Sequence, residues 1–459
     1  MRWVVPQPGE SADVAIAHLL EALSDAPHRV IGLGPKGPGP DGTWLLQASI
    51  VLPSRTTLVL AGACVVAAPD MRRPMLTNAV RHQLEGHDEQ ISVIGDGRSS
   101  FDGQADRPPR GSNGIHFCGV HGLSVSGIRI GRTSGWGLRI EDVTDVHVRD
   151  INFFQDGNHP WQDGVHINGP AERVAINGVT GVFGDDVIAV DSALCQNRTG
   201  GPIRGVAVSN VVAHNIHGAG IVRTIAAKDR PLESVHFSNL TLVNTPGKGS
   251  DAAIKLGWDG GKQIRDDWEW PTADEHKDIV IENVNVYGWG GPVICAYHPM
   301  RNVTIRNLTA EHTGPLFFNL EHEIKGLTLE RVRSRLLAES QAQLNTGFLE
   351  KLVKGEVYTL GGEYTARFLE SDLAAITFNH AKCHDIRLRD IALDCVGTGD
   401  GNASWATALA AICGATVSNL RTDDVRIRGY AHDWRVESDA TVSSSDVSSD
   451  GWSPSSIPA

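Results

Sequence analysis

The chain has 459 residues, of which 41% are hydrophobic and 21% charged, with 50 glycines and only 4 methionines. That balance describes a turn-rich globular protein with little bundled helix. A formal net charge of −13 excludes a broad basic face, so no nucleic-acid partner is expected, and no stretch approaches the roughly 18 apolar residues of a membrane span, so no membrane partner is expected.

At the amino terminus, MRWVVPQPGESADVAIAHLLEAL lacks the basic segment and apolar core of a signal peptide, and a cytoplasmic location is the expectation. The seven cysteines, Cys64, Cys118, Cys195, Cys295, Cys383, Cys395 and Cys413, are odd in number and show no CxxC or metal-ligand spacing. They read as buried thiols of a reducing compartment, with no metal and no cofactor implied. Ser11 to Pro27 fits an amphipathic helix, with Ser11 or Asp13 as cap and Pro27 after its end. Such a helix suits a lid over the open end of a sheet.

Beyond it a unit of form apolar, x, apolar, x, turn residue, apolar recurs: LSVSGI from Leu123, VHVRDI from Val146, VAINGV from Val174, VAVSNV from Val206 and VHFSNL from Val235. It continues as IVIENV from Ile279, VTIRNL from Val303, LTLERV from Leu327 and IRLRDI from Ile386. Its fifth position is Gly127, Asp150, Gly178, Asn210, Asn239, Asn283, Asn307, Arg331 and Asp390. Apart from Arg331 these are residues that tolerate a left-handed backbone, so the column predicts a sharp bend between two short strands. The first five units start roughly 23 to 32 residues apart, too far for tight hairpins and right for one winding of a coil. The expectation is an all-β, single-domain parallel β-helix over residues 1–440, with the helix of residues 11–27 as its cap.

A second strand column lies between the units: GIHF from Gly114, GLRI from Gly137, GVHI from Gly164, DVIA from Asp186, GIVR from Gly220 and AAIK from Ala252. Alternate residues point in and out, so Val165 and Ile167 face the core while His116, Arg139 and His166 share one outward position. Asp163 and Asp185 are 22 positions apart, about one winding, and Asp186 follows directly. Carboxylates on neighbouring strands lie roughly 5 to 8 Å apart. A lone Asp before a strand is usually a turn residue, but three aligned in adjacent coils repel one another with no structural gain. The crowding supplies the unequal acid and base that glycosidic cleavage requires.

The series QDG at Gln162 to Gly164, GDD at Gly184 to Asp186, HG at His217 and Gly218, and IK at Ile254 and Lys255 resembles the polygalacturonases of glycoside hydrolase family 28. The resemblance covers about a third of the chain and implies a right-handed β-helix that hydrolyses glycosidic bonds with inversion. It would make Asp185 the general acid and set Asp163 and Asp186 on the attacking water, with His217 tuning the acid or orienting the sugar and Lys255 contacting substrate. Trp161 stands where the family has Asn, Ile216 where it has the first Gly of GHG, and Ala253 where it has the Arg of RIK. Arg223, in GIVRT, is the candidate to replace that Arg. His116, Arg139 and His166 read as further substrate contacts, and Trp161 and Trp258 as faces for sugar rings.

The segment 257–278 interrupts the coils and carries Trp258, Trp268 and Trp270, which would close one end of a cleft and favour exo action on an oligosaccharide. From Thr441 to Ala459 serine dominates, and a flexible tail is expected. The residues leave two alternatives open: a polysaccharide lyase or epimerase on the same scaffold, and a non-catalytic carbohydrate-binding β-helix.

Overall fold

The computed structural model describes residues 1–104, 114–159, 161–193, 200–217, 219–244, 252–257, 269–320, 322–337, 358–359, 362–363, 374–379, 381–396, 403–412, 414–436 and 440–448. The chain forms two compact units, Met1–His217 and Gly218–Ala459, and both are wound as right-handed parallel β-helix. Each winding gives up to three short parallel strands, which stack on those of the next winding in fixed register.

In the first unit the three columns run Ile115, Leu138, Val165, Ile188; then Leu123, Val146, Val174, Val206; then Ile151, Val179, Val211. In the second they run Ile254, Ile294, Phe317, Ile376; Ile279, Val303, Leu327, Ile386; and Val284, Leu308, Val332, Ile391. Every residue in these columns is buried, because a strand with period two sends alternate side chains into the coil, where they stack on their own equivalents. Phe153 and Phe183 meet inside the first unit with ring centroids 5.2 Å apart.

The bend column behaves as its residue types dictate. All nine positions, Gly127 to Asp390, have φ between 49° and 78°. Asn283 donates to Asn239 at 3.0 Å and Asn307 to Asn283 at 2.8 Å, so the side chains form a hydrogen-bonded ladder along the bends. Arg331 continues it through a bond from Nε to Asn307, which offsets the strain of a left-handed arginine.

The amino-terminal helix spans Ala12–Ala22, shorter than the expected 11–27, and buries Ala12, Ala15, Ile16 and Leu20. Neither expected cap bonds the helix through its side chain. Asp13 instead accepts the Gln47 N–H at 3.1 Å and ties the helix to the first coils. At the other end Thr441–Ser448 is a strand, paired with Thr416–Arg428 through Thr416 to Thr441 and Val417 to Val442. This corrects the expectation of a flexible tail from residue 441: an open strand edge carries unpaired backbone groups, and Val442 lets the next segment fill it. Residues 449–459 lie outside the described residues. No helix among those described is long and apolar enough to cross a membrane.

Candidate active site

The strand starting at Val165 is entered through Asp163 and Gly164. A Cβ on Gly164 would meet the Val187 carbonyl oxygen at 2.4 Å and the Phe183 ring at 2.6 Å, so only glycine fits. The close approach lets Gly164 N–H reach the Asp186 carbonyl and Val165 N–H the Val187 carbonyl, each at 2.9 Å. With Val165 opposite Ile188, Asp163 falls on the rung beside Asp186, about 4.8 Å away along the stack. The spacing argument put Asp185 on that rung. Val187, Ile188, Ala189 and Val190 are all apolar and all fully buried, so the sequence there carries no period-two phase to fix the step.

Asp163 and Asp186 are 1% and 0% exposed, and Asp185, half-buried, lies beside them. Its Oδ1 accepts the Asp186 N–H at 2.9 Å. Gln162, fully buried, is a structural knot: Nε2 donates to Thr133 O at 2.9 Å and Asp156 Oδ1 at 2.8 Å, while Oε1 accepts from Gly157 N–H at 2.7 Å. His217 closes the same loop, donating from Nε2 to Gly157 O at 2.6 Å. Asn215 joins it to the carboxylates, accepting the His217 N–H at 3.1 Å and donating to Asp185 O at 2.8 Å. The half-buried Trp161 directly precedes Gln162.

His116, Arg139 and His166 are consecutive rungs of one ladder, yet all three are buried, at 0%, 5% and 0% exposure. Glu141 and Asn168 stand two residues beyond Arg139 and His166 and, with Asp191 on the following strand, are in register and fully buried. Glu141 pairs with Arg139 and, at 3.1 Å, with His116 Nε2. Nη1 of Arg81 lies 3.1 Å from His116 Nδ1. A guanidinium only donates, so His116 accepts at Nδ1 and is neutral. Burial pushes its pKa down to about 4 in the same sense. His166 is the opposite case. Its Nδ1 is 2.8 Å from Asp163 Oδ2, which only accepts, so Nδ1 carries a proton. Trp136 stacks on it at 3.8 Å between centroids, and the Arg139 guanidinium lies 4.1 Å from the Trp136 ring centroid. Sequence reasoning missed Arg81, Glu141, Asn168, Asp191 and Asn215. The two-residue step from Arg139 and His166 was the available signal for Glu141 and Asn168.

In the second unit Arg223 and Lys255 are register partners on the outward side of one column, 9% and 5% exposed. Nearby in the chain three fully buried histidines gather: His276 and His298 with centroids 5.7 Å apart, His298 and His322 6.5 Å apart, and Trp270 5.2 Å from His298 and 5.1 Å from His322. Thr224 Oγ1 is 2.9 Å from His276 Nε2. Burial pushes His276 down to about 4 and His322 to about 3. Trp258 and residues 258–268 of the expected cleft-closing segment lie outside the described residues. Among the described residues no group of three His, Cys, Asp or Glu side chains is placed to hold a metal ion.

No family model matches the chain, and no curated protein matches it by sequence. Solved structures do. A tailspike protein mutant of the E. coli bacteriophage HK620, in complex with a pentasaccharide, is similar at 10% identity, over 95% of this chain and 77% of that one, with a TM-score of 0.54. Endo-xylogalacturonan hydrolase from Aspergillus tubingensis gives 14% identity, 98% and 100% coverage and a TM-score of 0.47. A hyperthermoactive exopolygalacturonase from Thermotoga maritima gives 13%, 70%, 87% and 0.45. The tailspike likeness defines the class by fold alone, a parallel β-helix.

Proposed function

We propose that the protein is a glycoside hydrolase acting with inversion, in exo fashion, on a uronate-bearing oligosaccharide. The observation that carries this reading is the placing of Asp163 and Asp186 on adjacent rungs, both buried, with the half-exposed Asp185 beside them. Two shielded carboxylates hold a water, and a third at the solvent side meets the leaving oxygen. In the reaction the water oxygen bonds to the anomeric carbon and gives its proton to the Asp163 and Asp186 pair. The glycosidic C–O bond breaks, and Asp185 gives its proton to the departing oxygen. Exclusion of bulk water strengthens each of these interactions.

Within the second unit, Arg223 beside Lys255 is chemistry that suits a uronate. An arginine gives the bidentate grip on a carboxylate that Ala253 cannot.

The test is hydrolysis of trigalacturonate, with galactotriose as the neutral control. Wild-type protein should release monosaccharide from the first in preference to the second. Asp163→Asn and Asp185→Asn should each lower kcat by roughly a thousandfold or more while binding is retained. Unchanged activity in both variants would sink the proposal. A product with the ultraviolet absorbance of an unsaturated uronate would move the protein to lyase chemistry, and sugar binding without turnover would make it a binding β-helix.

A further inference from the structure

We infer that His166 is the positioning residue of the site, a charged imidazolium whose task is to keep the buried Asp163 ionised as the base. The inference rests on the proposed hydrolase reading for its consequence, but its charge state stands on geometry alone. The Asp163 carboxylate is 1% exposed and receives His166 Nδ1 at 2.8 Å. On the other side of the ring Nε2 lies 4.0 Å from Asp191 Oδ2, a carboxylate fully buried on the next strand. An imidazole between two buried carboxylates is stabilised as the cation, because a neutral ring would leave one negative charge facing a lone pair. The Trp136 ring stacked on it at 3.8 Å adds the attraction of an aromatic face for a cation.

The other groups around the ring agree. Arg139, its register neighbour on the preceding strand, is a cation that would oppose a charged His166. It is occupied by the fully buried Glu141. Asn168, two residues on, is neutral, and Asp186 sits one rung beyond Asp163. That last placement gives the imidazolium its purpose. Two carboxylates on adjacent rungs tend to share a proton. A cation bonded to only one of them decides which stays ionised, and the geometry assigns that to Asp163.

His166 was expected to contact substrate. A positioning role predicts different kinetics. Replacing it should lower kcat and leave KM for trigalacturonate within about twofold, since no substrate contact is lost. In His166→Gln the amide still donates a hydrogen bond but carries no charge, so the acidic limb of kcat/KM, set by ionisation of the base, should move up by about one pH unit. His166→Phe, which keeps a ring beneath Trp136 and donates nothing, should lose more of kcat.

A readout free of activity separates this inference from the hydrolase reading. In wild-type protein labelled with 15N-histidine, the resonances absent from His166→Gln identify the ring. Both nitrogens should be protonated at neutral pH, and in Asp163→Asn and Asp191→Asn the ring should lose its charge at lower pH than in wild type. A neutral ring at pH 7 in wild type overturns the inference whatever the enzyme does. A rise in KM with an unmoved acidic limb overturns it too and makes His166 a substrate contact. A charged ring in a protein that hydrolyses neither trisaccharide leaves the dyad standing and removes the hydrolase reading.

Discussion

The first unit and the second each bury a cluster of titratable side chains on the same kind of coil, and they solve the cost of doing so in opposite ways. In the first, the buried charges of the ladder each face an opposite charge: Arg139 on Glu141 and His166 on Asp163. In the second, His276, His298 and His322 are packed against Trp270 and one another, and burial holds all three pKa values below the usual range. A fully buried imidazole is thus a charge device in one place and a packing group in the other, decided by what stands on the next rung. Depth alone does not tell them apart, since His166 and His298 are equally inaccessible.

Breaking a paired charge should have the larger effect. Glu141→Gln leaves the Arg139 guanidinium buried without its anion, a change that costs roughly 3 to 5 kcal/mol. Urea denaturation of the variant should show a midpoint lowered to match, with an unchanged slope. A loss under about 1 kcal/mol would mean that water reaches Arg139 and that the pairing is ornamental.

Acid should reveal the second cluster. The folded state keeps His276 and His322 neutral, down to about 4 and about 3, whereas the unfolded chain takes up protons near the ordinary 6.5. The stability these residues contribute is therefore complete above about pH 6.5 and is lost as pH falls towards their folded values. For His276 the full loss is roughly 3 kcal/mol. His322→Phe removes one of the sites that must be protonated, so its melting temperature should fall less steeply than that of wild type between about pH 6.5 and pH 4. Parallel curves would show that the cluster is already hydrated in the folded protein.

The coil columns were legible because their residue types repeat with the winding. Nine bend positions from Gly127 to Asp390 announced a left-handed backbone, and all nine have it. Register could be read where a glycine opens the strand, as at Gly114, Gly137 and Gly164. It slipped by one at Asp186 because four apolar residues follow without alternation. The candidate carboxylates were visible as a crowd, but their partners were not. Glu141 and Asp191 are single acids inside strands, and nothing local says that stacking will bring them against Arg139 and His166. The histidine cluster left a trace, since His298 follows His276 by 22 positions and His322 follows His298 by 24, one winding each. A lone histidine at a strand entry reads as an ordinary core residue until three are seen to align.

The smallest effect tests whether burial is what separates these cases from a common surface pair. Arg173 grips Asp145 with two bonds, Nε to Oδ1 at 2.7 Å and Nη2 to Oδ2 at 3.1 Å, a geometry as good as any in the interior. Both side chains are more than half exposed, so water and salt screen the attraction while holding two long side chains in one arrangement still carries an entropic cost. Asp145→Asn is the apt variant: Asp145 has φ of 57°, and asparagine tolerates that backbone, so the charge is removed without straining the turn. Its denaturation midpoint should coincide with that of wild type at moderate salt. A shift as large as that of Glu141→Gln would show that bidentate geometry, and not removal from water, gives the buried pairs of the first unit their strength.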